Sequence, residues 1–121
     1  MKHLLVVEDN ANTLTGLLEL LSDEGYEVNG VMHGNEAVEI AEKQTIDMVL
    51  CDYNLPDVDG IQVCQRLKEI NPEAVLFLTT ASDSTVLLDT ASACGVSKIF
   101  PKPIDLNELF NSLSVVLGKI S

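Results

Sequence analysis

The chain has 121 residues, 46% of them hydrophobic, and a formal net charge of −12. That length suits one domain over residues 1–121 with its own core. The charge excludes direct binding to nucleic acid or anionic lipid, because phosphate recognition needs clustered Lys and Arg, and metal ions or basic partner surfaces suit it better.

In chain order, His3 to Val7 is a short Leu/Val run that ends on Glu8, Asp9 and Asn10, which predicts a buried strand closed by acids. Leu14, Leu17, Leu18 and Leu21 follow at helical spacing, with Asn12 or Thr13 expected to cap and Gly25 to terminate. Tyr26 to His33 holds a weaker strand, interrupted by Asn29 and Gly30 as expected nearer a sheet edge. A second helix runs from Gly34 through Ala37, Val38, Ile40 and Ala41, and Ile46 to Asp52 is a third strand, again ending on a carboxylate. Pro56 and Gly60 mark the loop after it. Ile61, Cys64 and Leu67 lie on a third helix, stopped by Asn71-Pro72, since a residue before proline avoids the helical region. Ala74 to Thr79 reads as a buried strand. Ser82 or Asp83 is expected to cap a fourth helix over Val86, Leu87 and Ala91 to Cys94, with Gly95 closing it. Val96 to Phe100 is the last strand, Pro101-Lys102-Pro103 a rigid turn, and Leu106, Leu109, Phe110, Leu113 and Leu117 a closing amphipathic helix.

Strict strand and helix alternation with near-continuous apolar strands predicts an α/β fold, a five-stranded parallel sheet covered by helices on both faces. Right-handed crossovers leave few topologies. In the doubly wound, flavodoxin-like order 2-1-3-4-5, strands one and three lie side by side and a crevice opens above their carboxyl ends. Glu8, Asp9 and Asp52 then meet there. Pairs of carboxylates about 4 Å apart repel by about 4 kcal/mol at an effective dielectric near 20, so a cation is needed. A hard ion with oxygen ligands, Mg²⁺, fits better than zinc, which favours His and Cys. Lys102 past strand five and Thr80 past strand four add an ammonium and a hydroxyl at the same end of the sheet. Metal, cation and hydroxyl together suit a phosphoryl group, with Asp52 as the attacking nucleophile.

The acidic pair Glu8-Asp9, the run D-Y-N-L-P-x-x-x-G from Asp52 to Gly60, Thr80-Ala81 and Lys102-Pro103 together resemble a response-regulator receiver domain of two-component signalling, chemotaxis-regulator-like, over essentially the whole chain. The resemblance implies that Asp52 is the phosphoacceptor. It also implies that Asp9 and Asp52 bind Mg²⁺ with the backbone carbonyl of Asn54, that Glu8 acts mainly through water, and that Thr80 and Lys102 contact the phosphoryl oxygens. Thr80 rather than Thr79 is selected because the family places Ala after the switch hydroxyl. The implied donor is a sensor histidine kinase or histidine phosphotransfer protein. The implied listener is an output domain or target protein that meets the fourth helix, fifth strand and fifth helix, or a second copy in a homodimer. Turnover is limited to self-phosphorylation from a donor and slow autodephosphorylation. One departure stands out: Ile99 occupies the place where the family carries a switch Tyr or Phe, and Phe100 points to the opposite face by strand alternation.

Bland roles compete with each of these. Glu8, Asp9 and Asn10 could cap the first helix, Thr80 the fourth, and Lys102 could be a solvated charge. Their shared location at one end of four strands favours the site. Asp57 and Asp59 are read as solvated turn residues, and His3 and His33 lack ligand spacing. Cys51, Cys64 and Cys94 are odd in number, lack C-x-x-C spacing and sit in apolar segments, so they read as small buried hydrophobes in a reducing compartment. MKHLLVVEDN is too short and too soon acidic for a signal peptide, and no apolar run reaches bilayer length, so a cytoplasmic location without membrane contact is expected. Two other function classes use similar parts. A Mg²⁺-dependent phosphatase of the haloacid-dehalogenase kind needs a second Asp where Asn54 stands, and a flavodoxin-like flavin binder disfavours acids after strand one. A chain ending just past its last helix is expected either as a freestanding receiver or, preferred here, as part of a longer regulator.

Overall fold

The computed structural model describes residues 2–81 and 84–118, and the side chains of residues 84–87 are left aside. Five strands and five helices alternate: β1 His3–Val7, α1 Ala11–Asp23, β2 Glu27–Val31, α2 Gly34–Lys43, β3 Met48–Asp52, α3 Gly60–Ile70, β4 Val75–Thr80, α4 Ser84–Ala93, β5 Val96–Pro101 and α5 Leu106–Leu117. The strands form one sheet in the order β2-β1-β3-β4-β5, and every neighbouring pair is parallel. This is the doubly wound arrangement read from the sequence.

Strand alternation divides the core between two faces. Leu4, Val6, Met48, Leu50, Phe77 and Phe100 pack against Leu14, Leu17 and Leu21 of α1 and Leu109 and Leu113 of α5. On the other face, Leu5, Val49, Leu76 and Leu78 meet Ala37 and Ala41 of α2, Leu67 of α3 and Ala91 of α4. All five residues of β3 are buried, so this strand is the floor under the candidate site. Each of its apolar side chains contributes about 1.5–3 kcal/mol by leaving water. In β5 the register shifts between Leu76 and Phe77, whose partners are Val96 and Lys98. Ser97 is thereby skipped, which puts Val96 and Ile99 on one face and Phe100 on the other. Phe100 is fully buried, edge-on to Phe77 with ring centroids 5.3 Å apart. It is a core residue, as alternation predicts.

Several local expectations need correction. Asn10, not Asn12 or Thr13, caps α1: its side-chain oxygen accepts from the Thr13 N–H at 3.0 Å, because the chain is still extended there (φ −86°, ψ 113°) and the helix starts one residue on. The second strand is shorter than Tyr26–His33, since His33 is already the N-cap of α2. Ile46 is buried but precedes β3, and β4 and β5 each extend to include Thr80 and Pro101. Gly25 and Gly95 end their helices at φ 95° and 90°, as expected of glycines there. Cys51 and Cys64 are buried, whereas Cys94, at the end of α4, is only half-buried. Leu88 is 53% exposed, so that side of α4 is not buried against the sheet. The expected cap at Ser82 or Asp83 and the faces of Val86 and Leu87 lie outside the described residues and side chains.

Asp57 and Asp59 are not free turn residues. Asp59 accepts from the Gln62 N–H at 2.8 Å and caps α3. Asp57 caps a helix distant in sequence, accepting from the Gly34 and Asn35 N–H groups of α2 at 2.9 and 3.0 Å. Turn composition could not reveal this, because the donors lie more than twenty positions away along the chain.

Candidate functional site

Strands β1 and β3 are adjacent, with Val7 opposite Cys51, so Glu8 and Asp52 leave the sheet side by side. Oxygens of Glu8, Asp9 and Asp52 all lie within 4.8 Å of one another. Glu8 and Asp52 are each 2% exposed, while Asp9 faces solvent. The three acids predicted to converge therefore do so, with Asp9 as the open side.

Lys102 enters from β5. Its backbone N–H donates to the Thr80 carbonyl at 2.9 Å, which fixes where the side chain starts. The ammonium lies 2.6 Å from Asp52 Oδ2 and 3.3 Å from Glu8 Oε2. Burial opposes its charge, but the hydrogen bond and charge of Asp52, with Glu8 behind it, outweigh burial and hold Lys102 above the ordinary lysine value. Glu8 shifts up: burial disfavours its charge most, the Asn10 N–H at 3.1 Å opposes that, Asp52 adds repulsion and Lys102 relieves part of it. Among the described residues, one ammonium stands against the three carboxylates of the cluster.

The loop after Asp52 is tightly folded. Asp52 Oδ1 accepts from the Asn54 N–H at 3.1 Å, the Gly60 N–H donates to the Tyr53 carbonyl at 2.7 Å, and Asn54 bridges Asp59. A Cβ on Gly60 would overlap the Asp52 carbonyl oxygen and approach Tyr53 Cα to 2.7 Å, so the turn beneath Asp52 requires glycine. Thr79 is the register partner of Asp52, and Thr80, the last residue of β4, is fully buried beside the Lys102 peptide. A groove of about 580 Å³ between α1 and the β5–α5 turn borders the site through Glu8 and Lys102. Sequence reading did not identify that groove, on whose walls Leu20 and Leu106 are exposed.

The donor set decides what the cluster can hold. Carboxylate oxygens with one exposed side, unbalanced negative charge and no imidazole or thiolate fit a hard divalent cation such as Mg²⁺ that keeps some of its water. His3 and His33 stay outside: the ring of one bonds Asn29 at 2.8 Å and that of the other Glu36 at 2.9 Å. Cys51 is no nucleophile, since the neighbouring Cys64 and full burial push its thiol well up.

Comparisons with known proteins agree with this geometry. Residues 4–114 match the family model described as the response regulator receiver domain. A response regulator receiver protein of Anaeromyxobacter sp. strain Fw109-5 is 33% identical over 104 residues, covering 86% of this chain and 44% of that protein. Sporulation initiation phosphotransferase F of Bacillus subtilis is 28% identical over 116 residues, covering 96% of this chain and 94% of its own. The first two relatives matched are thus spanned over less than half their length, the second over 28%. Among solved structures, the receiver domain of a sensor histidine kinase from Pseudomonas aeruginosa PAO1, with magnesium ion coordinated in the active site cleft, superposes with a TM-score of 0.85 at 28% identity over 98% of both chains.

Proposed function

The chain belongs to the response regulator receiver domain family, and we propose that its Asp52 accepts a phosphoryl group from a phosphohistidine on a sensor histidine kinase or phosphotransfer protein. The observation that carries this is the junction of Glu8, Asp9 and Asp52 with the Lys102 ammonium. A carboxylate oxygen of Asp52 attacks phosphorus, the phosphorus–nitrogen bond of the donor breaks, its electron pair stays on the imidazole, and an acyl phosphate forms. Lys102, already at Asp52, is placed to pair with the incoming phosphoryl oxygens, and Thr80 is assigned the hydroxyl that follows them. Asp9 and Asp52, with the Asn54 carbonyl and with Glu8 acting through water, would hold Mg²⁺, which supplies positive charge against that developing on the transferred group.

The chain is a switch rather than a turnover enzyme. Asn54, where the haloacid-dehalogenase-type phosphatase needs its acid, leaves only slow hydrolysis. Added charge at Asp52 draws Thr80 and Lys102 inward and biases α4, β5 and α5, where a partner, an attached output domain or a second copy reads the state. The exposed Leu88 on α4 and the half-buried Ile99 on β5 favour that face. With Ile99 in place of the family's aromatic, readout passes through loop and helix displacement. The domain acts in the cytoplasm, as a single receiver unit over residues 1–121.

Intact mass after incubation with Mg²⁺ and a small acyl-phosphate donor tests the assignment. One phosphoryl group is expected on the wild-type chain, none on Asp52→Asn and none with excess chelator. An unmodified wild-type chain sinks the reading, and rapid phosphate release from many monoesters points to the phosphatase instead.

A further inference from the structure

The loop between Asp52 and α3 is held at two places. Its inner half is fastened to itself through the Gly60–Tyr53 hydrogen bond and the Asn54–Asp59 bridge. Its outer half reaches across to α2, where both Asp57 oxygens take N–H groups, from Gly34 and from Asn35. That helix lacks a cap of its own, for His33 at its N-cap makes no side-chain capping bond and turns instead to Glu36. Val58 completes the seat, since a Cβ on Gly34 would overlap methyl groups of Val58 and Val63. Desolvation of Asp57, the largest single influence, is outweighed by the N–H groups of Asn35 and Gly34 together with those of Asp57 and Val58, which hold its carboxyl below the usual range.

We propose that Asp57 is a positioning residue of the acid site: by tying the loop to the N-terminus of α2 it fixes the Asn54 backbone for cation binding. This rests on the Mg²⁺ reading of Glu8, Asp9 and Asp52 given above. Asn54 lies three residues from Asp57 and one hydrogen bond from Asp52, so slack in the outer loop is passed to both the carbonyl and the nucleophile. Coupling is reciprocal: a cation that fixes the loop also protects the α2 N-terminus.

The test is calorimetric Mg²⁺ titration without phosphodonor, with hydrogen exchange at the Gly34 and Asn35 amides. Asp57→Ala is expected to weaken Mg²⁺ binding about threefold to tenfold, below the usual range for direct partners of metal ligands because it acts one step further out. In the wild type, Mg²⁺ slows exchange at both amides, and in Asp57→Ala it does not. Asp57→Asn, which keeps one acceptor, falls between and carries the test if the alanine variant fails to fold. Glu39→Gly weakens α2 on its exposed side without touching the loop and is expected to lower stability while leaving affinity unchanged. Wild-type affinity in Asp57→Ala, or an equal loss in Glu39→Gly, would reduce Asp57 to a helix cap and overturn the inference. Failure of the wild-type chain itself to bind Mg²⁺ overturns the inference together with the site reading beneath it.

Discussion

The two ends of the sheet are both polar and differ in charge balance. Near the strand starts, His3 Nε2 meets Asn29 Oδ1 at 2.8 Å, Gln44 reaches the same oxygen at 3.4 Å, and Asp47 accepts the His3 backbone N–H at 2.8 Å. At the carboxyl ends, Glu8, Asp9 and Asp52 crowd together, and among the described residues Lys102 is the ammonium that pairs with two of them, Glu8 and Asp52. Among the described residues no buried side-chain nitrogen or oxygen lacks a partner at either end. Hydrogen-bond satisfaction therefore does not distinguish a site from a structural network. Crowding of charge does, because three carboxylates lie within 4.8 Å of one another at the acid end, and a hydrogen bond satisfies an oxygen without neutralising a carboxylate, so the residual repulsion favours a bound cation or an added proton.

Breaking the comparison at the acid end should have the largest effect. Lys102→Met removes the ammonium paired with Asp52 and Glu8 and is expected to slow phosphorylation of Asp52 by about 10²-fold, as loss of one charge-stabilising donor does, measured by the rate of mass shift. Gly60→Ala drives a methyl into the Asp52 carbonyl and should cost about 1–3 kcal/mol in denaturant unfolding, with slower phosphorylation.

The pH response sharpens the contrast. Glu8 has a folded-state pKa above its unfolded value of 4.5, so the folded chain binds its proton more readily. Metal-free stability should rise as pH falls through the raised value toward 4.5, and Glu8→Gln should abolish that rise in thermal melts. Asp57 has the opposite sign: its contribution is present above 3.8 and is lost as pH falls through its lowered value. At the quiet end, His3→Ala is expected to cost about 1 kcal/mol of stability and leave the phosphorylation rate unchanged.

Much of the site was legible because its residues follow strands. Glu8 and Asp9 close one apolar run and Asp52 another, and in a parallel sheet the ends of runs share a side. Lys102 was legible in the same way. Asp57 was not: its partners Gly34 and Asn35 sit on another helix, and its composition matched an ordinary turn. The cap of α1 was misplaced by two residues because Asn10, Asn12 and Thr13 all suit an N-cap, and only backbone dihedrals choose between them.

The sequence by itself determined the alternation of elements, the parallel doubly wound sheet and the identity of the converging acids, since hydrophobic period and strand-end chemistry are local properties. Tertiary structure alone decided the distances within the cluster, the shift in β5 that brings Val96 and Ile99 to one face, and the clasp of Asp57 on α2. Those depend on how separate segments approach one another in space, and no local pattern encodes that approach.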